Sequence, residues 1–205
     1  MQEPSQKCIY REEHKIQITC KSTHIQSDDD VDRFSLYITR NLVLALHNGQ
    51  HQINQIGLKT ASDCPSYRIV VKSIELIGDH VSGIAEKCLK LKERLALELV
   101  STISKISELS LSVFRDSLES FLQRNYELDA KKVDISHFVY PLEENVIARL
   151  QKSKEVHCQS DSIRLVLENI GGTAEYASDI AETAINETIS EIMESKKGGG
   201  DQTHE

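Results

Sequence analysis

The chain has 205 residues, 39% hydrophobic and 27% charged, but only 5% aromatic, with no Trp, nine Gly and three Pro. So few turn formers and aromatics exclude a β-sandwich or barrel, which needs frequent turns and aromatic or β-branched strands. The 32 acids against 24 bases leave a net charge of −8, which excludes nonspecific nucleic-acid binding, since phosphate contacts need clustered Lys and Arg.

In chain order, residues 1–27 read as an uncertain N-terminal segment. His14-Lys15-Ile16-Gln17-Ile18-Thr19-Cys20 alternates polar and apolar, as a short strand does, and equally suits a poor helix. From about Ser27 to His47 the pattern becomes helical. Val31, Phe34, Ile38, Leu42 and Ala45 are expected on one buried face. Asn48-Gly49 ends that helix, and a polar loop is expected as far as Pro65. Val70, Ile74, Ile77, Val81, Ile84 and Cys88 then form a seam packed on other helices, which makes Cys88 a buried small hydrophobe.

Neither Gly nor Pro occurs from Ile84 to Tyr140. One unbroken helix over that span would be about 85 Å long, so a bend is expected between Leu89 and Thr102. A helix follows to about Tyr126, another runs from Leu128 to Lys154 with an interruption at Pro141, and a last one runs from Ser160 to Glu194. Residues 196–205 read as a disordered tail. The five cysteines contain no C-x-x-C pair, the first residues lack the apolar core of a signal peptide, and no run reaches the roughly 18–20 apolar residues of a membrane span. A cytoplasmic chain is expected, one that meets a membrane only through a partner.

The chain repeats itself. At an offset of 96, Ser73–Cys88 and Asn169–Ala184 share Ile74/Ile170, Ser82/Ser178, Ile84/Ile180, Ala85/Ala181 and Glu86/Glu182, with Asp79 against Glu175. Beside the apolar seam runs an acidic row, Glu75, Asp79, Ser82 and Glu86. The earlier helix carries Asp28 and Asp32. Carboxylates four apart on a helix lie about 5–6 Å apart at Cβ and can share a cation. If the two helices pack antiparallel, the four converge, and such hard oxygen ligands suit Mg, Mn, Fe or, less specifically, Zn. The other reading stays open: Ser27 and the acids after it make an ordinary helix start, and Glu75 and Asp79 make a solvated face. His80 falls on a different side of its helix. No Gly-rich phosphate loop, nucleophile elbow or H-E-x-x-H occurs, and nothing joins a nucleophile to a base, so no enzyme is expected.

Ser73-Ile74-Glu75-Leu76-Ile77-Gly78-Asp79-His80 followed by Gly83-Ile84-Ala85-Glu86 resembles the signature helix of PhoU-type phosphate uptake regulators. Asp28-Asp29-Asp30-Val31-Asp32-Arg33 is similar to that family's second acidic motif, and Ala174–Glu182 to the second copy in archaeal members. The resemblance covers about residues 25–192. It implies an all-α fold of tandem PhoU-like three-helix bundles, with units at 28–100 and 101–195 and the first unit lacking most of its first helix. It implies a metal site on Asp28, Asp32, Glu75 and Asp79, and a cytoplasmic regulator, not an enzyme. Such a regulator restrains the phosphate ABC transporter when phosphate is plentiful, through contact with the transporter and a sensor kinase.

The chain departs from the pattern in three places. Leu76 stands where the family has Arg. Gly171 stands opposite Glu75, and neither Ala130 and Asp134 nor His137 and Pro141 restores the acidic pair, so Asp134 and Glu175 are the remains of an eroded second site. The short segment before Asp28 leaves no room for an AbrB-like hairpin. It also leaves apolar surface uncovered on Val31–Ala45 and Val70–Cys88, from which a homodimer or obligate partner is expected. The runner-up function is a helical scaffold with no metal.

Overall fold

The computed structural model describes residues 27–91, 95–124 and 160–198. They form five helices: α1 (27–48), α2 (Gln50–Gln55), α3 (Asp63–Lys90), α4 (Leu97–Gln123) and α5 (Ser160–Gly198). No strand occurs among the described residues. The expected strand at His14–Cys20, the helix Leu128–Lys154 and the interruption at Pro141 lie outside them.

The helices pack antiparallel and parallel in a fixed order. On α1 and α3, Ser35 meets Glu75, Thr39 meets Arg68 and Val31 meets Gly78, so residue numbers fall along one helix as they rise along the other. The same holds for α3 and α5, where Ser66 donates to Glu187 and His80 meets Asn169. The two repeated segments are therefore each other's neighbours. Helix α4 runs parallel to α5. Ile106 near its start packs with Ile163 and Val166, and Phe121 near its end packs with Ile180 and Ala184.

Helix α5 is the centre of this arrangement. Its Ile163, Leu167, Ile170, Ala174, Ala177, Ile180, Ala181 and Ala184 are all buried, spaced three or four apart except for the neighbours Ile180 and Ala181. Small residues on that stripe let α3 and α4 approach closely. Opposite them α4 buries Ile106, Ser110, Val113, Ser117 and Ser120, again mostly small. A smaller core joins Leu42 and Ala45 of α1 to Ile53 of α2, Leu58 and Cys64.

Local chemistry sets the ends. The bend expected between Leu89 and Thr102 is present: Leu91 and Ala96 are extended and separate α3 from α4. Gly49 (φ 85°) donates to the Ala45 carbonyl and ends α1, as Asn48-Gly49 led us to expect. The stretch up to Pro65 is not the expected polar loop, however. It holds α2, whose Ile53 is 2% exposed against α1 and Cys64. A six-residue helix with one apolar anchor carries no periodic signal, because its stability comes from that distant packing. Helix α5 also runs four residues past the expected Glu194, to Gly198.

Asp63, 5% exposed, ties the start of α3 to the end of α4. Its carboxylate accepts the amides of Lys59 (2.8 Å) and Thr60 (3.2 Å) and faces Arg124 at 3.4 Å. Arg124 holds the left-handed conformation (φ 53°) that closes α4. Burial alone would push the Asp63 carboxyl up, but the two amides and the Arg124 guanidinium outweigh it and leave it below its ordinary value. A carboxyl depressed on folding adds stability above its unfolded pKa, and that stability is lost as pH falls through the folded value. Asp63→Ala should therefore cost about 1–2 kcal/mol at neutral pH. The gap between variant and wild type should close in acid, as read by urea unfolding at a series of pH values. A gap independent of pH would show that the charge is not what matters.

Candidate carboxylate site between α1 and α3

The site lies where the start of α1 crosses the middle of α3. Gly78 permits the approach: a Cβ there would sit 3.3 Å from Val31 Cγ1 and 3.9 Å from Asp28 Oδ1. Antiparallel packing then places Asp28 and Asp32 of α1 alongside Glu75 and Asp79 of α3. Asp28 and Glu75 are half-buried, and Asp32 and Asp79 are exposed.

The two acids of α3 have opposite surroundings. Glu75 accepts a 2.7 Å ion-paired hydrogen bond from Lys72 Nζ and a 3.1 Å bond from Ser35 Oγ. The Lys72 bond leads in holding its carboxyl below the usual range, and Ser35 and Arg68 add to it against partial burial. Asp79 is pushed up, first by desolvation and then by the charges of Asp28, Asp32 and Glu75. Lys72 is raised by its bond to Glu75 and by the charges of Glu75, Asp79 and Asp32. Lys72 pairs with Glu75, and Asp79 keeps an excess of negative charge around it.

That excess is what a cation would relieve, and carboxylate oxygens are suitable donors for a hard one. Side-chain placement is less complete. Among the described residues no group of three or more His, Cys, Asp or Glu side chains is arranged to hold one ion. Lys72 occupies Glu75, so a metal on this set would require Glu75 to turn from the ammonium towards the other acids. Reasoning from acid spacing alone passed over Lys72 and Ser35. Ser35 could have been found, since Asp28, Asp32 and Ser35 fall at i, i+4 and i+7 on one face.

On α5, Glu175 is exposed, and Asp134 lies outside the described residues. Asp179, which the sequence reading did not single out, is raised by burial first and then by Glu182 and Glu175, so α5 carries an acidic row of its own. His80 points away from the carboxylates, as its position on the helix implied. Its Nδ1 lies 2.8 Å from Asn169 Oδ1, and its ring sits on Gly172. Cys88 is exposed rather than buried. The seam is only partly covered: Val70, Ile77 and Ile84 pack on α5, while Val81 is 47% exposed.

The site is thus an Asp-x-x-x-Asp on one helix facing a Glu-x-x-x-Asp on an antiparallel neighbour. Residues 20–88 match the PhoU domain family model. Two relatives from Streptococcus pneumoniae, one of serotype 4 and one of strain R6, are named phosphate-specific transport system accessory protein PhoU homologs. Each is 24% identical over 165 residues, which span 78% of this chain and 73% of the relative. The crystal structure of the phosphate transport system regulatory protein PhoU from Streptococcus pneumoniae matches with a TM-score of 0.57 at 19% identity, over 85% of this chain and 88% of that one. The chain is similar to these proteins in sequence, and in a helical fold over the described residues. Among the described residues no helix is long and apolar enough to cross a membrane.

Proposed function

We propose that the chain is a cytoplasmic regulator of phosphate uptake. It restrains the phosphate ABC transporter when phosphate is plentiful, by contact with transporter subunits and a sensor kinase, and it acts as a homodimer with no catalytic step. The observation that carries this reading is the PhoU-domain match over residues 20–88, which spans both acidic motifs. The names of the relatives, accessory proteins of a phosphate-specific transport system, support the transporter as partner. Immobilised chain should retain transporter subunits from solubilised membranes of its own cells. Failure to retain any of them would favour the scaffold reading.

The same reading assigns a divalent or trivalent ion, Fe, Zn, Mn or Mg, to Asp28, Asp32, Glu75 and Asp79. Bound there, it would supply the positive charge that Asp79 lacks. A solvated acidic face is the competing reading, and the Lys72–Glu75 ion pair favours it. Metal analysis of purified protein separates the two. Glu75→Ala with Asp79→Ala should remove essentially all bound metal, because half of the carboxylates are lost, while Glu175→Ala should leave it in place. Unchanged metal in the double variant would sink the assignment.

A further inference from the structure

Several hydroxyls along α4 and α5 donate to the carbonyl one turn back. Ser110 bonds Ile106 at 3.2 Å, Thr173 bonds Asn169 at 2.9 Å and Thr183 bonds Asp179 at 2.7 Å. Ser117 and Ser178 do not. Their hydroxyl oxygens are buried with no hydrogen-bond partner in the protein, and among the described residues no other buried side-chain nitrogen or oxygen shares that condition. Ser117 has no exposed surface at all. A buried hydroxyl without a partner forfeits the bonds that solvent gave it, so it marks a stored cost or a bound polar molecule.

Both serines belong to one level of one interface. Helix α4 runs parallel to α5, with Ile106 against Ile163, Leu167 and Ile170 at one end and Phe121 against Ile180 and Ala184 at the other. Four residues back from Phe121 is Ser117. Four back from Ile180 and Ala184 is the turn that carries Ala177 and Ser178. The bulky contacts at the two ends set the distance between the helix axes. Between them Ser117 and Ser120 of α4 look onto Ala174, Ala177 and Ala181 of α5, all short and all buried.

We propose that Ser117 and Ser178 hold one ordered water molecule between α4 and α5. A buried water makes about three hydrogen bonds. The two hydroxyls supply two of them. The carbonyl of Val113 or Ala174, each four residues before a serine, supplies the third through its spare lone pair. The ligand is neutral, because no charged side chain of α4 or α5 is buried at the interface. It is small, because alanines wall the site. The bridge also fixes the register of the two helices, since a slip of one turn, about 5.4 Å, would part the hydroxyls.

Oxygen-17 relaxation dispersion of water in solutions of the full chain tests the site, with urea unfolding beside it. The wild type should carry one more long-lived water than Ser117→Ala with Ser178→Ala, whose site is then apolar and stays dry. Each single alanine variant should raise the unfolding equilibrium constant about fivefold to tenfold, because it releases the water and strands the other hydroxyl. The double variant should be no less stable than either single, since all three lose the same water. The sign is decisive. Were the Ser117 hydroxyl simply stranded in the wild type, Ser117→Ala would stabilise the chain by removing it, helped by the helix preference of Ala. A stabilised Ser117→Ala, single effects that add in the double variant, or equal water counts in wild type and double variant would each overturn the proposal. None of these outcomes depends on the role in phosphate uptake.

Discussion

Leu167→Ala should lower the free energy of unfolding by about 2–5 kcal/mol, the range for removing a buried leucine from a core that cannot collapse. Leu167 has no exposed surface and sits among Ile106, Ile163, Val166, Ile170 and Ala174. Ile84 of α3 and Leu99 and Ile103 of α4 close around the same cluster. A cavity there is walled by three helices, and no single shift fills it. Urea unfolding should show a lower midpoint with an unchanged slope, because the surface exposed on unfolding stays the same. A loss below about 1 kcal/mol would mean that α5 is not the central helix.

The second large effect is a change of sign. A Cβ at Gly172 would lie 2.6 Å from both Cε1 and Nε2 of His80. The imidazole is not a free end that swings aside. Asn169 holds its Nδ1 at 2.8 Å, and the Tyr176 ring lies 5.5 Å from it, centre to centre. Gly172→Ala should therefore destabilise by about 1–3 kcal/mol, as overpacking does. In a His80→Ala background the obstruction is gone. The same substitution should then stabilise by up to about 1 kcal/mol, the helix preference of Ala over Gly. Thermal or urea unfolding of the four proteins reads the coupling. Additive effects would show that His80 does not rest on Gly172.

These two sites mark what could and could not be read from the residues. Periodicity placed α3 and α4, and the absence of Gly and Pro after Ile84 forced the break that Leu91 and Ala96 make. The offset of 96 identified α3 and α5 as repeats. Only the packing shows that the repeats lie on each other, with the imidazole of one in the glycine notch of the other. On α1, Leu42 and Ala45 are buried as their spacing predicts, but Phe34 and Ile38 of the same expected face are exposed, and Ser35 takes the buried position. An apolar residue was preferred to a serine because pattern alone does not reveal the Glu75 carboxylate that Ser35 bonds. The apolar surface expected to be uncovered on Val31–Ala45 and Val70–Cys88 is covered at Leu42, Ala45, Val70 and Ile77, while Phe34, Tyr37 and Leu44 are exposed.

The acidic site shows the same division. Spacing put Asp28 with Asp32 and Glu75 with Asp79, and antiparallel packing brings the pairs within electrostatic reach of each other. Lys72 lies three residues from Glu75, a common helix pair whose importance depends on what lies across the groove, and spacing of the acids alone does not single it out. Its place among the acids decides how far Glu75 is available to anything else.

Phosphate uptake at high external phosphate tests the central claim most directly, in cells that lack this gene and in the same cells with the gene restored. Loss of the gene should raise uptake under plentiful phosphate, and the restored chain should return it to the wild-type rate. Uptake that does not change when the gene is removed would contradict a role in restraining phosphate transport.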